Sequence, residues 1–155
     1  MDKFEKSGLL IKRINDAVTK RANNDLKKLG ITRSQLQLLL MLETQSDGAL
    51  SLKDLEKRLC VTQQTAAGIV MRLEEKGFVS YAGTNEDKRV KLAVLTPEGR
   101  EACQKARIYM DDTERQVVST MTESEKQQFQ LLLSKSWAAL RGVASANGAV
   151  CRKGG

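Results

Sequence analysis

Histidine is absent from this 155-residue chain, and proline occurs once. The first absence removes the side chain that most often serves as general base or zinc ligand near neutral pH. The three cysteines, Cys60, Cys103 and Cys151, stand far apart and form no Cys-x-x-Cys pair. They offer neither metal-ligand spacing nor a disulfide framework, so most are expected to be reduced thiols. A Gly-rich phosphate loop is missing too, as are paired carboxylates on one helix face. These gaps argue against an enzyme, because nothing supplies a nucleophile with its base, a metal centre or a cofactor cradle. Charges also interrupt every apolar stretch, including MDKFEKSGLLIKRIND at the start. Neither a secretory core nor a membrane span is expected, and the location read from this is cytoplasmic.

What is present is the composition of a folded domain, 41% hydrophobic and 29% charged, in a chain long enough to bury a core. A net charge of +7 favours an acidic partner such as nucleic acid, but the excess is spread along the chain. The motifs have to carry the case.

Leu10, Ile14, Ala17, Val18, Ala22, Leu26 and Leu29 recur at helical spacing and stop at Gly30, which predicts a long first helix. Thr32 with Gln35 is a capping box for a second helix, carrying Leu36, Leu39, Leu40 and Leu42 and ending at Ser46-Asp47-Gly48. Ser51 with Asp54 opens a third helix. Thr62 caps a fourth, whose apolar set is Ala66, Ile69, Val70 and Leu73 and whose stop is Gly77. Residues 78–81 and 90–95 then switch to a β rhythm around a polar loop, predicting a hairpin. Thr96-Pro97 begins a fifth helix reaching about Thr120. Thr122 with Glu125 caps the last, which bears Phe129, Leu132, Leu133, Trp137 and Leu140.

The expected fold class is therefore mainly α with a small β-hairpin wing. Residues 31–96 form a winged helix-turn-helix DNA-binding domain, residues 1–30 and 97–142 a helical dimerisation region, and residues 143–155 a flexible tail. The two amphipathic ends flank a domain with little core of its own for them to cover, so a homodimer is expected.

Residues 51–77, SLKDLEKRLCVTQQTAAGIVMRLEEKG, are a short helix, a tight turn and a longer helix, and the hairpin after them makes the unit winged. A helix can fill the major groove while a basic loop beside it reaches the flanking minor groove or phosphates. Lys88 and Arg89 stand at the expected tip of that loop. On a wheel of about 100° per residue, Ala66, Ile69, Val70 and Leu73 cluster on one side of the fourth helix. Gln64, Gly68 and Glu75 fall opposite, with Thr65 and Arg72 at the flanks. The uncharged turn Thr62, Gln63, Gln64, Thr65 suits phosphate and base-edge contact at a helix N-terminus. Ser51, at the start of the third helix, joins these as a candidate DNA contact. A winged helix that binds proteins instead of DNA is the competing reading, and the basic wing beside an uncharged helix start favours DNA.

The stretches GITRSQLQLLLML, LEKRLCVTQQTAAGIVMRLEEKGFV and NEDKRVKLAVLTPEGRE, in that order and spacing, resemble the MarR family (multiple antibiotic resistance regulators) across nearly the whole chain. The resemblance implies a homodimeric winged helix-turn-helix transcription factor that binds palindromic sites in double-stranded DNA. Such proteins are often repressors, released by small phenolic or other lipophilic ligands or by thiol oxidation. It implies Thr62 to Thr65 as the groove-facing start of the recognition helix, Arg72 as a phosphate contact, and Arg89 as a minor-groove arginine held by Asp87. It also implies a small-molecule pocket among the first, second and fifth helices and the winged domain, for which Arg13, Arg21 and Tyr109 are candidate contacts. The chain departs from the family at Gly68, where a basic or bulkier polar residue is common, and at Tyr81, where an Arg is common. Cys60, in the turn before the recognition helix, is a candidate redox residue. No metal and no cofactor is expected.

Overall fold

The computed structural model describes residues 6–83 and 91–145. Its elements run α1 (Ser7–Lys28), α2 (Arg33–Glu43), β1 (Ala49–Ser51), α3 (Leu52–Leu59), α4 (Gln63–Glu75), β2 (Val79–Gly83), β3 (Lys91–Leu95), α5 (Pro97–Val117) and α6 (Glu123–Ser145). Asp87, Lys88, Arg89 and Cys151 lie outside the described residues.

Local chemistry sets most of the boundaries. Thr32 accepts from the Gln35 N–H, and Gln35 accepts from the Thr32 N–H, which satisfies donors at the start of α2 that have no helical partner. Ser51 and Thr62 cap α3 and α4 by accepting from the N–H groups of Asp54 and Thr65. Gly30 and Gly77, at φ of 68° and 76°, turn the chain out of α1 and α4 through a backbone region that disfavours other residues.

By its internal contacts the chain forms two compact units, dividing between Thr113 and Glu114. The first unit holds the core. Leu38, Leu39 and Leu42 of α2, Leu55 of α3 and Val70 and Leu73 of α4 are wholly enclosed, with Val79 and Ala93 of the sheet and Cys103 of α5 in the same cluster. The second unit consists of the end of α5 and the helix α6, whose start is capped by reciprocal bonds between Thr122 and Glu125. Those bonds hold the Glu125 carboxyl below its ordinary range.

The expected strand pair is present as β2 and β3, and β1, which was not expected, pairs with β3 on its other side to give a three-stranded antiparallel sheet in the order β1-β3-β2, with Leu50 and Tyr81 opposite Ala93 from either side. A three-residue strand shows no period in sequence; it exists because β3 offers it an edge. Against the expectation that most of the cysteines are reduced thiols, Cys60 is disulfide-bonded, while Cys103 is free. Helix α6 also continues through Ser145, past the Gly142 where the tail was expected to begin.

Candidate nucleic-acid interface

Helices α3 and α4 meet at Cys60, the only non-glycine among the described residues in the left-handed region, at φ 54° and ψ 40°. That conformation costs a side-chain-bearing residue about 1 kcal/mol, and it turns the chain sharply enough for α4 to cross α3. Val61 closes the turn by donating its N–H to the Glu56 carbonyl.

Helix α4 then presents two unlike faces. Ala66, Val70 and Leu73 are buried and Ile69 packs against the core. Thr62, Gln63, Gln64, Thr65 and Arg72 are exposed, and Gly68 is half-buried. The first turn is not uniform. Thr62 and Thr65 bond each other through their hydroxyls, 2.8 Å apart, and Thr62 also accepts from the Thr65 N–H, so both are used in capping. Gln63 and Gln64 have no such role, and their N–H groups, as the first two of the helix, have no helical carbonyl to bond. An anion or a base edge placed there meets free donors and long amide side chains. Ser51 is occupied locally, by the Asp54 N–H and carboxylate.

The far end of α4 is tied down by a residue that the sequence did not single out. The Lys76 ammonium donates to the Gly30 carbonyl and, at 3.0 Å, to Oε1 of the buried Gln35, the residue that caps α2. The end of α4 is thus linked to the α1–α2 turn. On the other side, the Thr96 hydroxyl donates to the Gly77 carbonyl and accepts from the Gly99 N–H, joining the end of α4 to the start of α5. Gly99 is required by this closeness, since a Cβ there would stand 2.1 Å from the Phe78 carbonyl oxygen.

At the base of the wing, the Lys91 ammonium lies 5.7 Å from the centre of the Tyr81 ring. Tyr81 sits one diagonal step away on the neighbouring strand, with Gly83 directly opposite Lys91. Burial, with Glu74 nearby, pushes the Tyr81 phenol up. Tyr81 therefore offers a packing and cation–π brace at a position where the family commonly has Arg.

The candidate pocket residues are partly dispersed. Arg13 and Arg21 are exposed on α1, while Tyr109 of α5 is half-buried under the Lys28 ammonium, 5.3 Å from its ring centre. Lys28 in turn pairs with Asp25 at 2.7 Å, and Arg21 lies within electrostatic reach of it. A separate open depression of about 420 Å³ is lined by Leu95, Pro97, Arg100, Glu101 and Gln104, and includes none of the three. Cys103 is buried, and burial, with Glu43 adding to it against Arg107 and Arg100, pushes its thiol up to about 11. It is a protonated, inert thiol at neutral pH. Glu43 and Arg107 beside it form a two-pronged ion pair between α2 and α5. Among the described residues there is no cluster suited to a metal ion, and no helix is long and apolar enough to cross a membrane.

Comparison with known proteins agrees with this architecture. A profile of the MarR family matches residues 29–90. The HTH-type transcriptional regulator YwoH of Bacillus subtilis is 32% identical over 123 residues, covering 77% of this chain and 88% of the relative. The HTH-type transcriptional repressor Rv2887 of Mycobacterium tuberculosis is 27% identical over 128 residues, covering 83% and 91%. Among solved structures, a MepR–DNA complex from Staphylococcus aureus superposes with a TM-score of 0.74 at 26% identity, over 86% of this chain and 98% of that one. The apo form of MarR from Escherichia coli gives 0.69 at 25% identity, over 87% and 98%. The two-faced helix α4, its capped turn and its small sheet are those of a winged helix-turn-helix regulator of transcription, and the chain belongs to the MarR family.

Proposed function

We propose that this protein is a sequence-specific repressor that binds a palindromic operator as a homodimer and is released by a small ligand or by thiol oxidation. The observation that carries the reading is the exposed, uncharged first turn of α4, where Gln63 and Gln64 are both exposed and Gln64 stands opposite the buried stripe of Ala66, Val70 and Leu73. In this role Gln63 and Gln64 meet base edges or phosphates, Arg72 meets phosphate, and Lys88 and Arg89 follow the backbone into the minor groove with Asp87 bracing Arg89. Resemblance to a relative named as a repressor and to a DNA complex supports the assignment.

Dimerisation is supported by exposed apolar side chains on α1 and on α6, among them Ile11, Ile14, Trp137 and Leu140. A second copy of the chain covers such stripes, and two-fold symmetry then demands a two-fold operator. The effector is a small aromatic or lipophilic molecule, with Arg13, Arg21 and Tyr109 as candidate contacts. Cys60 is the candidate for redox release, because it is disulfide-bonded and making or breaking that bond at its left-handed turn would re-aim α4 directly.

The test is selection of the pure protein on randomised duplex DNA at moderate salt, repeated with Arg89→Ala. A palindromic motif that weakens in the variant is expected, with affinity falling steeply as salt rises. No enrichment at any salt would move the assignment to a winged helix that binds protein.

A further inference from the structure

The solvent face of α4 contains a residue that its polar neighbours obscure. At about 100° per residue, Gln64, Gly68, Met71 and Glu75 fall within roughly 60° of one another, directly opposite the buried stripe. Met71 is 52% exposed. Every other exposed large hydrophobic residue among the described ones belongs to α1, α5 or α6, so Met71 is the one such side chain in the winged part of the fold. Three positions before it stands Gly68, and a Cβ built there meets nothing within 4 Å. Packing therefore does not demand that glycine, although mid-helix it costs about 1 kcal/mol relative to Ala. Helical side chains lean toward the N-terminus over the preceding turn, so Met71 extends across the space that Gly68 leaves empty.

We propose that Met71 is a specificity-determining residue that reads the 5-methyl group of a thymine in the major groove, with Gly68 kept bare so that the thioether chain can lie along the groove floor. The inference rests on the DNA-binding reading above. Thymine is the one base with an apolar group on its major-groove edge, and apolar side chains recognise it by contact. Methionine suits the task because it is unbranched and adapts its shape to the surface it meets. Gln64, one turn nearer the N-terminus than Gly68, is placed to hydrogen-bond an adjacent base pair. The stripe thus combines one polar and one apolar reading element.

The experiment uses the full-length protein and the operator found by selection. Each thymine is replaced in turn by deoxyuridine, which removes only the methyl group and leaves every hydrogen-bonding group in place. For the wild type, binding should weaken roughly fourfold per half-site at one or two positions, the size expected for losing one buried methyl contact. Met71→Ala and the similarly long but polar Met71→Gln should bind the thymine and uracil operators equally. Both variants change an exposed helical position, so unaltered thermal unfolding is expected to accompany the loss of discrimination. Uracil that is tolerated at every position by the wild type, or discrimination that survives in both variants, would overturn the role of Met71 while leaving DNA binding intact. Failure of the wild type to enrich any sequence would overturn both readings together.

Discussion

Helices α4 and α6 carry apolar residues at similar spacing and meet opposite fates. In α4, Ala66, Val70 and Leu73 are completely enclosed by the core. In α6, Leu131, Leu132, Trp137 and Leu140 are 55–66% exposed, and none of residues 123–142 of that helix is buried. Amphipathicity announces that a helix will cover its apolar face but not with what. For α4 the cover is this chain. For α6, the proposed cover is a second copy of it, docked on the exposed stripe.

The comparison can be broken most forcefully from the α4 side. Leu73→Ala should destabilise the protein by about 2–5 kcal/mol, because it opens a cavity in a site with no exposure, and chemical denaturation measures this directly. A loss below about 1 kcal/mol would mean that the enclosure of α4 is overstated. From the α6 side, Trp137→Glu combined with Leu140→Glu should halve the mass in sedimentation and remove the dependence of the melting temperature on protein concentration. Operator affinity should then fall about a hundredfold, or about 2.7 kcal/mol, since each half-site must be held alone. An unchanged mass would show that the stripe is simply solvated. The finest contrast lies within α4 itself. Gly68→Ala should raise stability by up to about 1 kcal/mol, since Ala is the better helix former and the added methyl meets nothing. The same change should weaken operator binding, which separates the demands of folding from those of reading DNA.

Much of the architecture is legible residue by residue. The caps at Thr32, Ser51, Thr62 and Thr122 act within three residues of themselves, so sequence spacing is enough to reveal them. The glycine stops at Gly30 and Gly77 are equally local. Met71 was legible too, since the wheel that places Gln64 and Gly68 on the outer face places Met71 there as well. It is easily passed over because methionine at helical spacing usually means core. Lys76 could not be read this way, because its partners Gly30 and Gln35 lie more than forty positions away.

What the sequence by itself determined is the set of helices, most of their ends and their apolar faces, because caps, glycine turns and the 3.6-residue period are short-range physics. What only the tertiary structure decided is which long-range partners complete them. Strand β1 forms because β3 lends it an edge, Gly99 is needed because the Phe78 carbonyl presses against it, and Tyr81 braces the wing because Lys91 arrives from the neighbouring strand. Contacts of that kind join groups far apart in the chain, and no local pattern encodes a distance that exists only after folding.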